Sequence, residues 1–295
     1  VRIICLENNF ISLKLFPDLG AKIASIFYKP QSFEVLFRTT EYKLPKYGDP
    51  FENYDTSGID EMFPNVDKGK YPFEEYFGEI LPDHGELWSI PWNCYKKNNN
   101  IHCEVISPKF NYIFKRTIHL EKNKIFLAYS VKNLSNNIFR GFWTFHGLIA
   151  IDENSEIILN VKKVINVHKS KFLGNVENIC SYPEYNNYRL NKFLPKSSKN
   201  TEKFYLIDKV TSAGLTLNNN KLLYTIEFPE VPYLGIWKNE CGFKNQFNCA
   251  LEPSNGFYDS LEIAKKYQKF LTFQPFEEKK WNFRIILNNW TIQKS

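Results

Sequence analysis

Apolar and polar residues alternate with a period of two along much of the chain. In Phe10-Ile11-Ser12-Leu13-Lys14-Leu15 the polar Ser12 and Lys14 fall between apolar neighbours, the pattern of a half-buried strand. Similar runs at Ile3–Leu6, Ala21–Tyr28 and Val35–Phe37 predict further strands, separated by the turns Glu7-Asn8-Asn9 and Pro17-Asp18-Leu19-Gly20. Hairpins follow: Trp88–Tyr95 with Ile101–Ile106, then Phe110–Leu120 with Ile125–Lys132, extended by Arg140–Ile149. Strands are also predicted at Phe204–Ile207, Gly214–Leu217, Leu222–Phe228, Tyr233–Trp237, Phe247–Leu251, Lys269–Phe273 and Trp281–Leu287. Only Asp259–Tyr267 reads as a helix, with Asp259 or Ser260 as N-cap. The periodicity fades over Arg38–Pro82 and again over residues 165–202. Strand after strand without long amphipathic helices predicts an all-β, antiparallel architecture. No repeat or linker divides it, so residues 1–295 read as one domain.

Composition narrows the partners. The net charge of +6 comes from scattered lysines, many beside asparagine, with no basic helix and no zinc-finger or RNA-binding signature. A nucleic-acid partner is therefore not expected. Aromatic residues make up 17% of the chain, which suits strands and equally a groove in which rings stack on the C–H faces of a sugar. The six cysteines form no C-x-x-C pair and no metal spacing with histidine, so reduced thiols are expected, with Cys94 and Cys103 facing each other across a hairpin. No uncharged run approaches the ~20 residues that span a bilayer, and Val1-Arg2-Ile3-Ile4-Cys5 is not a signal peptide. A cytoplasmic protein without a membrane partner is the expectation.

Candidate chemistry concentrates in three stretches. In Leu81-Pro82-Asp83-His84-Gly85-Glu86-Leu87-Trp88 the breakers Pro82 and Gly85 bracket His84, placing it in a tight turn at the mouth of a strand. Asp83 and Glu86 read equally well as solvated turn residues. His146 lies in the aromatic run Phe142–Gly147, where a hydrogen-bonded core histidine is the common case. Glu252 follows Ala250-Leu251 and precedes Pro253, where a buried strand breaks into a loop; desolvation there is expected to raise its pKa toward that of a general base. A fourth segment, Gly58-Ile59-Asp60-Glu61-Met62-Phe63-Pro64-Asn65, sets adjacent carboxylates beside an apolar anchor inside the irregular region.

Together these stretches resemble the aldose 1-epimerase, or galactose mutarotase-like, family over nearly the whole chain and in the same order. Phe16–Ile26 is similar to the family's N-terminal turn and strand. Gly58–Asn65 with Leu81–Trp88 resembles the branch carrying D-E-x-F-P and P-D-H-G-E-x-W. His146 matches the second family histidine, and Leu251-Glu252-Pro253 the L-E-P of the catalytic glutamate. The resemblance implies a large twisted antiparallel β-sandwich with few short helices, and a monomer or homodimer. It implies interconversion of the α and β anomers of an aldose or sugar phosphate without cofactor or metal. Glu252 would be the base, His146 the acid, and His84 a hydrogen-bond donor on the ring-oxygen side.

The chain departs from the family in lacking an arginine between Arg38 and Arg116 and a matching aspartate within 165–202. Asp60, Glu61, Asp83, Trp237 and Asn65 are the remaining candidates for sugar contacts. Lys22, Arg38, Lys68 and Lys70 are candidates for a phosphate at the groove rim. Two other readings stay open: a non-catalytic carbohydrate-binding protein on the same fold, and a glycoside-processing enzyme with Glu61 opposite Glu252 as its carboxylate pair.

Overall fold

A computed structural model describes residues 1–290, so the last five residues of the 1–295 span lie outside the described part. Two large antiparallel sheets dominate, one of eleven strands and one of eight. In the larger sheet the central strands run Ile59–Met62, Thr144–Ala150, Phe247–Ser254, Tyr233–Glu240 and Asn200–Leu206, in that spatial order. The smaller sheet centres on the long strand Glu278–Asn289, flanked by Leu222–Glu227 and Lys124–Asn133. The sheets pack through aromatic side chains: Phe145 meets Phe283 at 4.4 Å between ring centroids, and Trp143 meets Trp281 at 5.2 Å. One buried apolar cluster runs through both sheets. This is the all-β sandwich expected from the alternation.

Several boundaries differ, for identifiable reasons. Leu87–Ser89 is a 3-10 turn, and the next strand begins only at Asn93. The indole of Trp88 donates to the Asp83 carbonyl (2.9 Å) and that of Trp92 to the Leu87 carbonyl (3.0 Å), which folds the segment back on itself. Within Arg38–Pro82, where the periodicity fades, Ile59–Met62 is a central strand buried on both faces. Such strands carry no period-two signal. Residues 165–202 contain the short strands Ile179–Ser181, Glu184–Tyr185 and Tyr188–Arg189, with the end of Lys163–Asn166 and the start of Asn200–Leu206. The strand carrying Glu252 does not break there but continues to Ser254, through Pro253. The helix is shorter, Leu261–Tyr267, with Ser260 at the N-cap position and Asp259 turned elsewhere.

Among the described residues no helix is long and apolar enough to cross a membrane. All six cysteines are free, and Cys94 stands directly opposite Cys103 in the ladder.

Candidate active site

Register decides which side chains meet. His146 pairs with Asp60 on one side, and Glu252 pairs with Gly235, which in turn pairs with Tyr205. Between the strands of His146 and Glu252 the ladder pairs Thr144 with Ser254 and Leu148 with Ala250, so His146 and Glu252 stand opposite each other. Asp60, His146, Glu252, Gly235 and Tyr205 therefore form one row across five adjacent strands, all on the same face. Gly235 lacks the side chain that would block this row: a Cβ there would lie 3.0 Å from the Tyr205 ring. The phenol instead crosses the sheet and donates to Asp259 Oδ1 at 2.7 Å.

The middle of the row, His146 and Glu252, lies at the floor of a groove of about 280 Å³. Ligand pockets commonly hold about 300–1,000 Å³, so this one suits a single small molecule. Of the residues that the sequence singles out, His84, His146, Glu252, Asp83 and Trp237 line it. His146 Nδ1 lies 2.8 Å from Glu252 Oε1, and Lys203 Nζ donates to Glu252 Oε2. Glu252 is fully buried and His146 only 7% exposed, so the pair touches the groove chiefly through the imidazole.

The motif around His84 is a positioning device. Asp83 Oδ1 holds His84 Nδ1 at 2.8 Å, and Asp83 Oδ2 accepts from the Phe51 backbone N–H at 2.8 Å. The imidazole stacks on Phe51 at 4.1 Å and meets the His146 ring edge-on at 5.4 Å. His84 has φ +57° and donates its backbone N–H to the Val66 carbonyl at 2.6 Å. Gly85 follows at φ +71°, where a Cβ would meet the Phe63 carbonyl oxygen at 2.4 Å; only glycine fits. Glu86 is not a solvated turn residue. It is buried and accepts from Tyr47 (2.8 Å), Ser107 (2.7 Å) and Tyr112 (2.6 Å), tying the turn to the smaller sheet.

Three of the expected sugar contacts lie elsewhere. Glu61 points to the opposite face from Asp60, because neighbours in a strand alternate. Between the sheets it accepts from Arg116 Nη1 (2.6 Å), Tyr129 (2.9 Å) and Trp143 Nε1 (2.6 Å), and it cannot serve as a carboxylate across the groove from Glu252. Asn65 is buried and donates to the carbonyls of Asp67 and Pro82, both at 2.8 Å, clamping the His84 turn to the strand end. Asp60 shares the groove-side row but is 1% exposed and bound by Lys22. Of the candidate phosphate cations, Lys22 is buried with Asp60 and Asp55, Arg38 pairs with Glu34, and neither they nor Lys68 or Lys70 line the groove.

Lys203, Asp259, His168 and Asp67 also line the groove, and none of them is among the candidates that the sequence motifs single out. Lys203 sits one residue before the predicted start of its strand, yet is in phase with the apolar Tyr205; a lysine at an inward position is the available signal. Asp259 does not cap the helix. Its side chain instead bonds Tyr205 and lies 3.4 Å from Lys203 and 3.8 Å from His168.

Electrostatics divides the site. Burial pushes the Glu252 carboxyl up, but the Lys203 charge and the His146 hydrogen bond outweigh it, so its pKa lies below the ordinary value. This reverses the expectation of a raised glutamate. Burial pulls the His146 imidazole down despite Glu252, which favours the neutral ring. An ionised carboxylate can only accept, so the hydrogen shared by the pair sits on His146 Nδ1. Asp259 is held low despite its burial, chiefly by Lys203. Asp60 is pushed up to about 6 by burial, which Lys22 only partly offsets.

No family model matches the chain, and no curated protein matches it. Solved structures do. The Slr1438 protein from Synechocystis sp. PCC 6803 superposes with a TM-score of 0.76 at 14% identity, covering 97% of this chain and 96% of that one. The galactose mutarotase related enzyme from Lactobacillus acidophilus gives 0.74 at 16% identity, covering 99% of both chains. A galactose mutarotase-like protein from Lactobacillus casei ATCC 334 gives 0.70 at 16% identity, over 97% of this chain and 100% of that one. The fold is that of galactose mutarotase-like proteins.

Proposed function

We propose that the chain is an aldose 1-epimerase that interconverts the anomers of an uncharged aldose. The observation that carries this reading is the 2.8 Å contact between His146 Nδ1 and Glu252 Oε1 at the floor of the groove. A carboxylate and an imidazole held together supply what a cyclic hemiacetal needs, a base for O1–H and an acid for O5. Glu252 takes the O1 proton as the C1–O5 bond breaks. His146, in its imidazolium form, donates to O5 from Nε2, the nitrogen that Glu252 leaves free. The ring is neutral at rest and must first take up this second proton at Nε2; its lowered pKa then makes that proton easier to release. Glu252 is then protonated and His146 neutral. Rotation about C1–C2 presents the other face of the aldehyde; O5 returns its proton to His146 as it attacks C1, and Glu252 reprotonates O1. His84, edge-on to His146 and held by Asp83, would donate to the open-chain oxygen.

Charge supports an unphosphorylated substrate. Glu52, Asp67, Asp83, Glu252 and Asp259 line the groove against Lys203 as the one lysine or arginine, and that lysine is already flanked by two of them. A phosphate would meet repulsion with no free lysine or arginine among the described lining residues to receive it. Residues 1–295 are read as one such domain, acting as a monomer or homodimer.

Saturation-transfer NMR of anomer exchange, on a panel of aldoses and hexose 6-phosphates, tests this reading. Wild type should accelerate an unphosphorylated aldose, and Glu252→Gln should remove about 10²–10⁴-fold of that rate. A sugar that binds without exchanging faster than buffer would establish the carbohydrate-binding alternative instead.

A further inference from the structure

We infer that Lys203 is a positioning residue for the acid–base pair: it occupies one oxygen of Glu252 and so leaves only the other to work with His146. This inference rests on the epimerase reading for its kinetic consequence, but the geometry stands without it. Lys203 is 7% exposed and is the one lysine or arginine among the described groove-lining residues. It reaches Glu252 from the strand two places away, beside the Tyr205 ring that lies over Gly235.

The lysine is also held from behind. Asp259 Oδ1 lies 3.4 Å from its ammonium and is itself fixed by the Tyr205 hydroxyl. The Asp259 backbone carbonyl accepts from the N–H groups of Val66 (3.1 Å) and Asp67 (2.9 Å), so this aspartate is built into the groove wall. Here two carboxylates from separate segments share it, and moving either changes its hold on the other.

The groups around Glu252 set the direction of the effect. His146 faces it from the neighbouring strand, Lys203 and Tyr205 from the strand beyond Gly235, and Asp259 from the segment before the helix. His84 and Asp67 stand further off on loops, and Cys249 lies on its own strand. Of these Lys203 is the one that draws Glu252 most strongly toward the ionised form, and Asp259 opposes it.

The test compares pH profiles of kcat/KM for wild type, Lys203→Met, Lys203→Arg and Asp259→Asn, with thermal melts of each. Activity requires ionised Glu252, so Lys203→Met should move the acid limb up by about one pH unit or more. It should lower kcat at least about tenfold with little change in KM, the split expected when a transition-state interaction is lost. Lys203→Arg should restore the limb, and Asp259→Asn should move it the other way. An unmoved limb in folded Lys203→Met overturns the inference. If that variant does not fold, an unmoved limb in Asp259→Asn does so. A ¹³C titration of the Glu252 carboxyl, assigned through Glu252→Gln, needs no turnover. A carboxyl that shifts in Lys203→Met while no sugar is turned over by wild type would sink the epimerase reading alone; a carboxyl that stays put would sink this one.

Discussion

His84 owes its place to its neighbours. Asp83 grips its ring, Phe51 stacks on it, and Gly85 supplies the backbone conformation that turns the chain beneath it. Gly85→Ala should therefore cost at least about 1–3 kcal/mol from the positive φ alone. The clash with the Phe63 carbonyl adds to that, and the loop would shift with it. A lower Tm, together with weakened sugar turnover on the epimerase reading, would be the expected result; a variant as stable as wild type would contradict the account. The D-H-G-E stretch was legible as a turn because its breakers are local signals. The division of labour inside it was not. Whether an acidic turn residue is solvated or buried depends on what packs over it, and Glu86 is covered by Tyr47, Ser107 and Tyr112 from distant parts of the chain.

Among the elements, the short strand Ile59–Met62 carries the sharpest contrast. Asp60 and Glu61 are adjacent, yet one joins the groove-side row and the other is sealed between the sheets with Arg116. Arg116 comes from the strand Tyr112–Glu121 of the smaller sheet, so this ion pair bridges the two layers. Arg116→Met should destabilise by about 3–5 kcal/mol, since it strands a buried carboxylate, and a urea titration would show it as a lower midpoint. A loss below about 1 kcal/mol, as for a surface pair, would mean that the tyrosine and tryptophan donors suffice. The alternation of the outer strands was readable because one face meets solvent. Of the central strands, Ile59–Met62 is buried on both faces and sets two carboxylates side by side, so neither a period-two pattern nor hydrophobicity marks it, whereas its neighbours were marked by their apolar and aromatic runs. His146, Glu252 and Glu61 were visible as residue types, but which of them share a face follows from register, which pairs residues far apart in the chain.

For the whole molecule, acid and base act on stability through different carboxylates. Glu252 and Asp259 have folded pKa values below their unfolded ones, so their contribution is present above the ordinary carboxylate range and is lost as pH falls. Asp60, pushed up to about 6, has the opposite sign: the folded protein binds its proton more tightly, so stability is shed as pH rises from about 4 to 6. Asp60→Asn removes that dependence. Between pH 4 and pH 7 the stability of wild type relative to Asp60→Asn should fall by on the order of 2 kcal/mol, since each tenfold difference in proton affinity between folded and unfolded chain is worth roughly 1.4 kcal/mol. Parallel melts of the two proteins across that range check it, and a constant difference would refute a protonated Asp60 in the folded state. The site row has a further bearing on descent. His146 and Glu252 are fixed on interior strands whose exchange would disturb both layers, while Phe51, Asp67, His84 and His168 stand on connections between strands. Those connections can diverge independently of the floor, so on the epimerase reading a lineage built on this scaffold can change which sugar it accepts while inheriting the same acid–base pair.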